Sequence, residues 1–400
     1  MASTTPRQPH SSPTETTPAE VVADVTLGEH VEGQLRRLCG VAGFRHPDGV
    51  CEVPLLDLLG PAARRPLAAG PPSPSFVCDD HSPVEFSLSF TAGSTPSVRV
   101  LVEPGCAATT LAENARLGMR ALETLATRRG FSTEPLRRVE DLFLPAAIHG
   151  PFALWCAMDL RQDQPPGIKV YVNPQAHGQE QSAEVAQEAM TRFGFGRAWP
   201  ALWESAASRG PERDDIRFFA LDLGRWHTPR VKVYLAHHDA TAADMDAVSR
   251  LLPSDRGEQL GEFCRVVGGG PGRFANRPLV SCFSYTERDV EHPSGHTVHV
   301  PVRDYARDDQ VARDRATTVL RSHGMDADVI DRALAVMTPR RPSDGLGLIA
   351  YVSLVQSTWQ PPRVTVYFSP EAYGVRPPCE GELRRRTDGV ADALRCRTTG

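Results

Sequence analysis

Lysine is rare in this chain of 400 residues, and its two lysines occupy matching motifs. Lys169 lies in GIKVYVNP and Lys232 lies in RVKVYL, so each is followed by Val-Tyr, and all the other positive charges among the 44 Lys and Arg residues are arginines. An ammonium group is a compact point charge, whereas a guanidinium is a planar fork. The two lysines therefore indicate positions where a point charge is needed, for example to bind a phosphate oxygen.

Three further segments share the build of the two lysine motifs. They are SVRVLVEP at 97–104, HTVHVPV at 296–302 and RVTVYFSP at 363–370. Equivalent positions in the five segments are separated by 63 to 70 residues, a regularity typical of an internal structural repeat. These equivalent positions are Arg99, Lys169, Lys232, Thr297 and Thr365.

Each repeat combines a β-hairpin with amphipathic helices. An apolar run and a turn-prone loop precede every one of the five segments, as in SPVEFSLSF followed by TAGSTPS. Between hairpins the apolar period becomes helical, as in LAENARLGMRALETLATRRG. Closing ten antiparallel strands into a barrel hides the sheet edges. We therefore predict an α+β fold, a barrel of ten antiparallel strands in five αββα repeats with the helices outside.

The two faces of the GIKVYVNP strand predict what lines the barrel. Ile168, Val170 and Val172 form an aliphatic face, while Lys169 and Tyr171 point the other way. Because helices must cover the aliphatic face, the polar face points into the lumen, and ten strands enclose more space than side chains fill. We predict a polar, aromatic-lined chamber as the active site. Its inward side chains are Arg99, Lys169, Tyr171, Arg230, Lys232, Tyr234, Thr297, His299, Arg363, Thr365 and Tyr367.

The predicted lining combines five cationic groups with aromatic rings. Cations crowded into a water-poor cavity need an anion, and a diphosphate suits both arginine forks and lysine point charges. Tyrosine faces attract a cation, so a diphosphate beside tyrosines indicates an allylic diphosphate whose C–O bond breaks in the lumen. No cofactor is expected. The Asp pairs lack the later acidic residue of a D-D-x-x-D motif, so neither Mg²⁺ nor Ca²⁺ is required.

Glu85 is the inward carboxylate of the first hairpin. In SPVEFSLSF the apolar residues alternate with Glu85, Ser87 and Ser89, which places these three in the lumen. A carboxylate there can accept a hydrogen bond from an indole N–H, which makes the ring carbons more nucleophilic, and it can also take the ring proton. We predict that Glu85 binds and activates an aromatic acceptor.

Composition excludes several classes of protein. A formal net charge of −5 and a pI near 6.2 argue against a nucleic-acid-binding surface. Nine cysteines without a C-x-x-C pair fit a reduced, cytoplasmic protein, and no apolar run is long enough to span a membrane. The Ser-, Thr- and Pro-rich residues 1–25 predict a disordered tail, and residues 26–400 a single barrel domain.

Taken together, these motifs resemble the dimethylallyltryptophan synthase family of aromatic prenyltransferases, whose fold is the ABBA barrel. The resemblance covers about residues 27–400 and implies metal-independent transfer of a dimethylallyl group from dimethylallyl diphosphate to the indole ring of L-tryptophan or a related compound. It matches Glu85 to the indole N–H acceptor and Arg217 to a tryptophan carboxylate ligand. It matches the diphosphate ligands to Arg99, Lys169, Arg230, Lys232 and Arg363, and the cation shield to Tyr171, Tyr234 and Tyr367, with His299 in the fourth hairpin.

Two departures from the family pattern concern the shield and the base. Thr297 and His299 stand where many members have Gln and Tyr, so the shield is smaller there and protonatable. Arg161 falls where some members carry a lysine proposed as the base, and arginine stays protonated. Glu85, His299 or the released diphosphate is then expected to take the ring proton. The Arg- and Ala-rich composition resembles actinobacterial members that attack the benzenoid ring, and we favour C6.

Alternative interpretations remain for several of these residues. Glu85 could be an ion-pair partner of Arg99, His299 a hydrogen-bonded core residue and Arg217 a surface charge. Tyr373, past the last strand, is expected to pack outside the chamber. The acceptor could instead be a tryptophan-containing cyclic dipeptide or a phenol, or the protein could be a non-catalytic barrel that binds such a ligand. A monomer and a homodimer are both compatible with the sequence.

Overall fold

The fold is that of a computed structural model, which describes residues 25–45, 54–224, 228–252, 258–288 and 290–379. Apart from Val25, the predicted disordered tail lies outside the described residues, as do residues 380–400 of the predicted barrel domain.

Ten antiparallel strands form one closed barrel whose strand order follows the chain. The first and last strands complete the ring, with Phe86 opposite Phe368 and Ser87 opposite Tyr367. The predicted ten-strand barrel is thereby confirmed. The strands are β1 Val84–Thr91, β2 Ser97–Val102, β3 Leu154–Leu160, β4 Gly167–Val172, β5 Asp214–Leu223, β6 Val231–His237, β7 Leu279–Tyr285, β8 Gly295–Val300, β9 Ile349–Ser357 and β10 Arg363–Phe368.

Helices fill the connections between hairpins and cover the outside of the barrel. Thr110 caps the longest of them by accepting from the Glu113 backbone, and Gly130 ends it in the left-handed conformation that glycine adopts without strain. No helix of the described residues is long and apolar enough to cross a membrane. The helices are α1 Leu27–Val41, α2 Leu55–Leu59, α3 Leu111–Arg129, α4 Glu134–Arg137, α5 Glu140–Phe143, α6 Ser182–Arg192, α7 Trp199–Ala206, α8 Ala242–Ser249, α9 Glu258–Gly268, α10 Asp309–Ser322 and α11 Asp328–Met337.

Alternation along the strands divides the barrel into an outer core and a lumen. On β1, Val84, Phe86 and Leu88 are fully buried in a core cluster that includes helical side chains such as Leu35 and Leu122. The intervening side chains of β1 face the lumen, where Ser87 stands opposite Arg99 of β2. The aliphatic faces therefore hold the helices in place, and the polar faces are free to form a site.

β5 departs from simple alternation through a bulge. This strand runs from Asp214 to Leu223, and its register shifts between Ile216 and Phe218. A bulge adds one residue to one strand and turns side chains that alternation would point elsewhere. Asp215 and Phe218 thus both stand opposite lumen positions of β6, and Arg217 lies between them.

One end of the barrel is covered by residues 73–83, which we call the closing segment. Its Val77 packs with Phe152 and Trp155 in a small apolar cluster. Ser75 donates to the buried Glu103 carboxylate at 2.5 Å, which ties the segment to the end of β2. The hairpin loops lie at the opposite end, so the two ends of the lumen differ in their surroundings.

We predict that the outer core, and not the exposed apolar residues, determines stability. Phe86→Ala should lower the free energy of unfolding by about 3–5 kcal/mol, because Phe86 is fully buried between β1 and the helices. Phe76→Ala is the matched control, because the Phe76 side chain is 58 % exposed, and it should change stability by less than about 0.5 kcal/mol. Urea unfolding followed by tryptophan fluorescence measures both. Equal losses would contradict this assignment of the core.

Candidate active site

Five cationic side chains meet in the lumen near the hairpin-loop end, and we call them the cation layer. They lie at or just before the start of the second strand in four of the five hairpins. Lys169 and Lys232 are largely buried, whereas Arg230, just before β6, is more exposed. The structure brings together all five cations of the sequence prediction, since each acts electrostatically on others of the set. They are Arg99, Lys169, Arg230, Lys232 and Arg363.

Burial and mutual repulsion disfavour the charged forms of three members of this layer, Lys169, Lys232 and Arg363. Burial lowers the pKa of Lys169 well below its usual value, and Lys232 adds to the effect. Burial, followed by repulsion from Arg230, also lowers the pKa of Lys232 to about 8, against an opposing effect of Cys282. For Arg363, burial and then Arg99 lower the pKa to about 9. A bound anion would stabilise all of these charges, so the layer is built to receive one.

Two carboxylates that sequence reasoning missed lie among these cations. Asp159 of β3 is 3.4 Å from Arg99, and Asp222 of β5 is 2.6 Å from Arg230 and 3.8 Å from Lys169. The sequence did carry a signal for them. Each Asp belongs to an Asp-Leu pair that ends the first strand of a hairpin, and its inward position follows from alternation.

Deeper in the lumen, aromatic side chains form a second level that we call the aromatic layer. Tyr171 and Tyr234 have ring centroids 5.7 Å apart, Tyr234 and His299 6.0 Å, and His299 and Tyr367 5.8 Å. The ammonium of Lys169 lies 5.9 Å from the Tyr171 ring centroid, so the two layers adjoin. These are the four residues that the sequence predicted as a cation shield: Tyr171, Tyr234, His299 and Tyr367.

Three further rings, which sequence reasoning missed, extend the aromatic layer. Phe218 lies 5.7 Å from Tyr234, Trp155 lies 5.4 Å from Phe218, and Tyr351 lies 6.3 Å from Tyr367. Trp155 and Tyr351 were accessible by extending the alternation to the first strands of the hairpins. Phe218 was accessible in the same way, because it lies four residues before Asp222 on the same face of β5, and the bulge lies before it.

His299 is uncharged in this environment at neutral pH. Burial lowers its pKa to about 4; the hydrogen bond at Val280 acts in the opposite direction, and the nearby cations Lys232 and Arg99 add to the lowering. Its Nδ1 lies 3.2 Å from the Val280 carbonyl, so Nδ1 carries the proton and Nε2 has a free lone pair. The sequence predicted a protonatable residue in the shield, and in the folded protein this imidazole is neutral at neutral pH, mainly because it is buried.

Glu85 faces the lumen at the end opposite the cation layer. It stands opposite Leu101, whereas Ser87 stands opposite Arg99, so Glu85 does not pair with Arg99, which pairs with Asp159 instead. Burial raises the pKa of Glu85 to about 8, although Arg303 acts in the opposite direction. At neutral pH without a partner, this carboxyl therefore holds its proton.

Arg303 is a lumen cation that sequence reasoning did not find. It is 4 % exposed, pairs with Asp79 of the closing segment at 3.0 Å, and lies 4.9 Å from the centroid of the Tyr351 ring. It follows β8 in a short turn outside the strand alternation, so no periodic signal marks it. Arg303 thus pairs with Asp79 of the closing segment and also attracts the Glu85 carboxylate.

Arg217 lies on the β5 bulge, also at the end away from the cation layer. It is 2.9 Å from Asp215, and its Nη2 is 3.2 Å from His238 Nε2. About a third of the Arg217 side chain is exposed, so it is not a plain surface charge. β5 is four strands from β1 in a ring of ten, and Arg217 therefore lies nearly across the lumen from Glu85.

The remaining predicted positions lie outside the reactive part of the lumen or line it passively. Arg161 follows the end of β3, is 53 % exposed and donates to Asp159 at 3.2 Å. It therefore stands at the cation layer and not beside an acceptor, because β3 has already ended there. Thr365 shares a hydrogen bond with Ser89 at 3.1 Å, and Thr297 is buried. Tyr373 packs on the outer core, as expected.

His237 and His238 are adjacent but serve different partners. His237 Nδ1 is 2.8 Å from Asp214, and His238 Nε2 is 2.7 Å from Asp215. Within the described ranges of the chain, no group of three or more His, Cys, Asp or Glu residues could hold a metal ion.

Comparison with known proteins gives a consistent result. A family model for tryptophan dimethylallyltransferase matches residues 53–333. The crystal structure of prenyltransferase PriB in a ternary complex with L-tryptophan and dimethylallyl thiolodiphosphate is 52% identical, with a TM-score of 0.83, 89% of this chain covered and 99% of that one.

Two other solved structures from actinobacteria are similar over almost their whole length. The 5-dimethylallyltryptophan synthase from Streptomyces coelicolor is 48% identical, with a TM-score of 0.82, 89% of this chain and 98% of that one covered. The 6-dimethylallyltryptophan synthase from Micromonospora olivasterospora is 42% identical, with a TM-score of 0.83, 88% of this chain and 99% of that one covered.

We predict that Glu85 makes the stability of the protein depend on pH. Its pKa is raised in the folded state, so its contribution is fully present below its usual pKa near 4.5 and is lost as the pH rises towards 8. Relative to the wild type, Glu85→Gln should therefore gain stability from pH 5 to pH 8, by roughly 1.4 kcal/mol for each unit of pKa difference. Denaturant unfolding at both pH values measures this, and parallel pH dependences would contradict it.

Proposed function

Because the chain belongs to the tryptophan dimethylallyltransferase family and is an aromatic prenyltransferase, we propose that it transfers a dimethylallyl group from dimethylallyl diphosphate to the indole ring of L-tryptophan. The observation that carries this proposal is the order of groups along one lumen. Cations lie near the hairpin-loop end, aromatic rings follow, and Glu85 and Arg217 lie beyond the rings. This order matches the diphosphate, the allyl group and the amino-acid acceptor in turn.

In the first step, the cation layer binds the diphosphate and stabilises it as a leaving group. The C–O bond breaks, its electron pair leaves with the diphosphate, and the allyl group becomes a cation. Arg99 and Arg363 present forks to the phosphate oxygens, while Lys169 and Lys232 supply point charges. These groups are fixed in a water-poor site before the charge develops, which is the arrangement that favours a transition state of this kind. The site residues supply this charge without a metal ion.

In the second step, the aromatic layer protects the allyl cation from water. Each ring face attracts a cation by about 0.5–2 kcal/mol, more when the site is dry. The neutral His299 belongs in such a layer, because an imidazolium would repel the cation. The layer adjoins Lys169, so the cation forms next to the rings that shield it.

In the third step, an indole carbon attacks the terminal carbon of the allyl cation. Binding of the indole N–H favours loss of the Glu85 proton, and the ionised carboxylate accepts the hydrogen bond and pushes electron density into the ring. The ring proton then leaves to restore aromaticity. Glu85 and the lone pair of His299 are bases of the chain itself for this proton, and the released diphosphate is a third. Arg161 has no part in this transfer, because it lies at the hairpin loop beside Asp159.

The positions of Glu85 and Arg217 also support attack on the benzenoid ring. The indole nitrogen and the carbon that bears the amino-acid side chain both belong to the five-membered ring. Holding the nitrogen at Glu85 and the carboxylate at Arg217 turns the C5–C6 edge towards the aromatic and cation layers. C6 lies on the same side of the indole as the nitrogen that Glu85 holds, so we propose C6 as the carbon attacked.

The first test is an incubation of the purified protein with L-tryptophan and dimethylallyl diphosphate in EDTA. We expect monoprenylated tryptophan by mass spectrometry, together with released diphosphate, because the lumen itself supplies the positive charge. Proton couplings and long-range carbon–proton correlations in the NMR spectrum identify the carbon. Turnover of a cyclic dipeptide or phenol but not of tryptophan would replace the acceptor. Binding of the diphosphate without turnover of any acceptor would leave a binding protein.

The second test concerns Arg217 as the carboxylate ligand. Arg217→Gln should raise the KM for L-tryptophan about 10- to 100-fold, the value of a lost hydrogen bond to a charged group. Use of a tryptophan-containing cyclic dipeptide, which has no free carboxylate, should change by less than about threefold. Arg197→Gln is the control, since Arg197 is 81 % exposed and lies away from the lumen. Equal loss with both acceptors would refute the carboxylate assignment.

A further inference from the structure

Charge alternates from strand to strand around half of the barrel. Arg99 on β2, Asp159 on β3, Lys169 on β4, Asp222 on β5 and Arg230 before β6 follow one another at the same level. Lys169 stands directly opposite Asp222, and Arg99 directly opposite Asp159. These two carboxylates therefore neutralise part of the positive charge of the three cations in this half.

The other two members of the cation layer have no such counterion. Among the described residues, neither Lys232 nor Arg363 has a carboxylate within ion-pair distance, although Lys232 is 91 % buried. The buried Nε of Arg363 also lacks a hydrogen-bond acceptor within the described part of the chain. Asp222 acts on Lys232 and Asp159 acts on Arg363 only from a longer range, so an entering anion competes directly with carboxylates mainly for the other three cations.

Each of the two carboxylates has one buried oxygen that faces a lumen cation without making a hydrogen bond in the described part of the chain. Asp222 Oδ2 lies 2.6 Å from Arg230, but its buried Oδ1 makes no hydrogen bond in the described structure and is 3.8 Å from Lys169. Asp159 accepts from Arg161 through Oδ2, while its buried Oδ1 faces Arg99 at 3.4 Å outside hydrogen-bond geometry. Cations held in this way can exchange one anionic partner for another with little rearrangement.

We propose that Asp159 and Asp222 are release residues, carboxylates that compete with the product diphosphate for the cation layer and so promote its departure. This inference rests on the proposed function, in which the cation layer holds the diphosphate. Breaking the C–O bond adds one negative charge to the diphosphate, so the carboxylates repel the product more strongly than the allylic substrate. After prenyl transfer, Arg99, Lys169 and Arg230 return to the carboxylates and the diphosphate leaves.

Both carboxylates carry the negative charge that this exchange needs. Although burial acts in the other direction, Lys169 and Arg230 hold the pKa of Asp222 below its usual value. In the same way, Arg99 and Arg161 hold the pKa of Asp159 below its usual value against burial. Burial, followed by repulsion from Lys232, lowers the pKa of Lys169 even though Asp222 acts in the opposite direction.

The test compares binding of inorganic diphosphate by isothermal titration calorimetry. Asp222→Asn and Asp159→Asn keep the shape and remove the charge, and each should lower the Kd for diphosphate about tenfold, or about 1.4 kcal/mol. Asp222→Glu restores the charge and should return the Kd towards the wild-type value. Asp141→Asn is the control, since it removes an exposed carboxylate that pairs with Arg192 outside the barrel, and its Kd should match the wild type within about twofold.

Kinetics separate release from a merely structural role. In both Asn variants, single-turnover prenyl transfer should be at least as fast as in the wild type, while steady-state kcat and the KM for dimethylallyl diphosphate both fall and a product burst develops. Unchanged or weaker diphosphate binding in the folded Asn variants would overturn the inference. So would loss of folding in Asp222→Asn, since it would make Asp222 a structural residue. Absence of diphosphate binding by the wild type would overturn the proposed function as well.

Discussion

Every feature of this protein depends on the closure of a ten-strand sheet whose side chains alternate between two faces. Once β1 pairs with β10, each strand must place half of its side chains inside the ring. The outer half is aliphatic and is covered by the helices, so it accounts for the stability of the fold. The inner side chains do not pack against a second sheet, so polar and charged groups can occupy these positions. The separation of the stabilising core on the outer face from the functional site on the inner face is a direct result of this geometry.

Burial is also the common cause of the unusual electrostatics of the lumen. It lowers the pKa of Lys169, Lys232 and His299 and raises that of Glu85, because it disfavours the charged form of every group. Burial of these groups is thus electrostatically unfavourable, and bound reactants would relieve that cost. A diphosphate stabilises the lysines, and an indole N–H stabilises an ionised Glu85. The burial that makes the charged forms of these groups unfavourable in the free protein also strengthens their interactions with bound ligands.

The order of groups along the barrel axis separates tasks that would otherwise interfere. The cations lie near the hairpin loops and Glu85 lies at the end covered by the closing segment, with the aromatic layer between them. A carboxylate next to the allyl cation would compete for it as a nucleophile, whereas neutral rings stabilise it without forming a bond. The two acids that do lie at the cation layer, Asp159 and Asp222, are themselves engaged by arginine and lysine side chains.

The amino-acid sequence by itself determined the repeat, the five hairpins and the face of each strand that carries charge. It did so because periods of two, 3.6 and about 65 residues are local properties that can be counted along the chain. It also placed Glu85, the cation layer and the four shield residues on one surface. The β5 bulge, the position of Arg303 after β8 and the opposition of Glu85 and Arg217 were decided only by the tertiary structure. Each of these depends on the register between distant strands, as does the neutral state of His299, which depends mainly on its burial in the closed barrel.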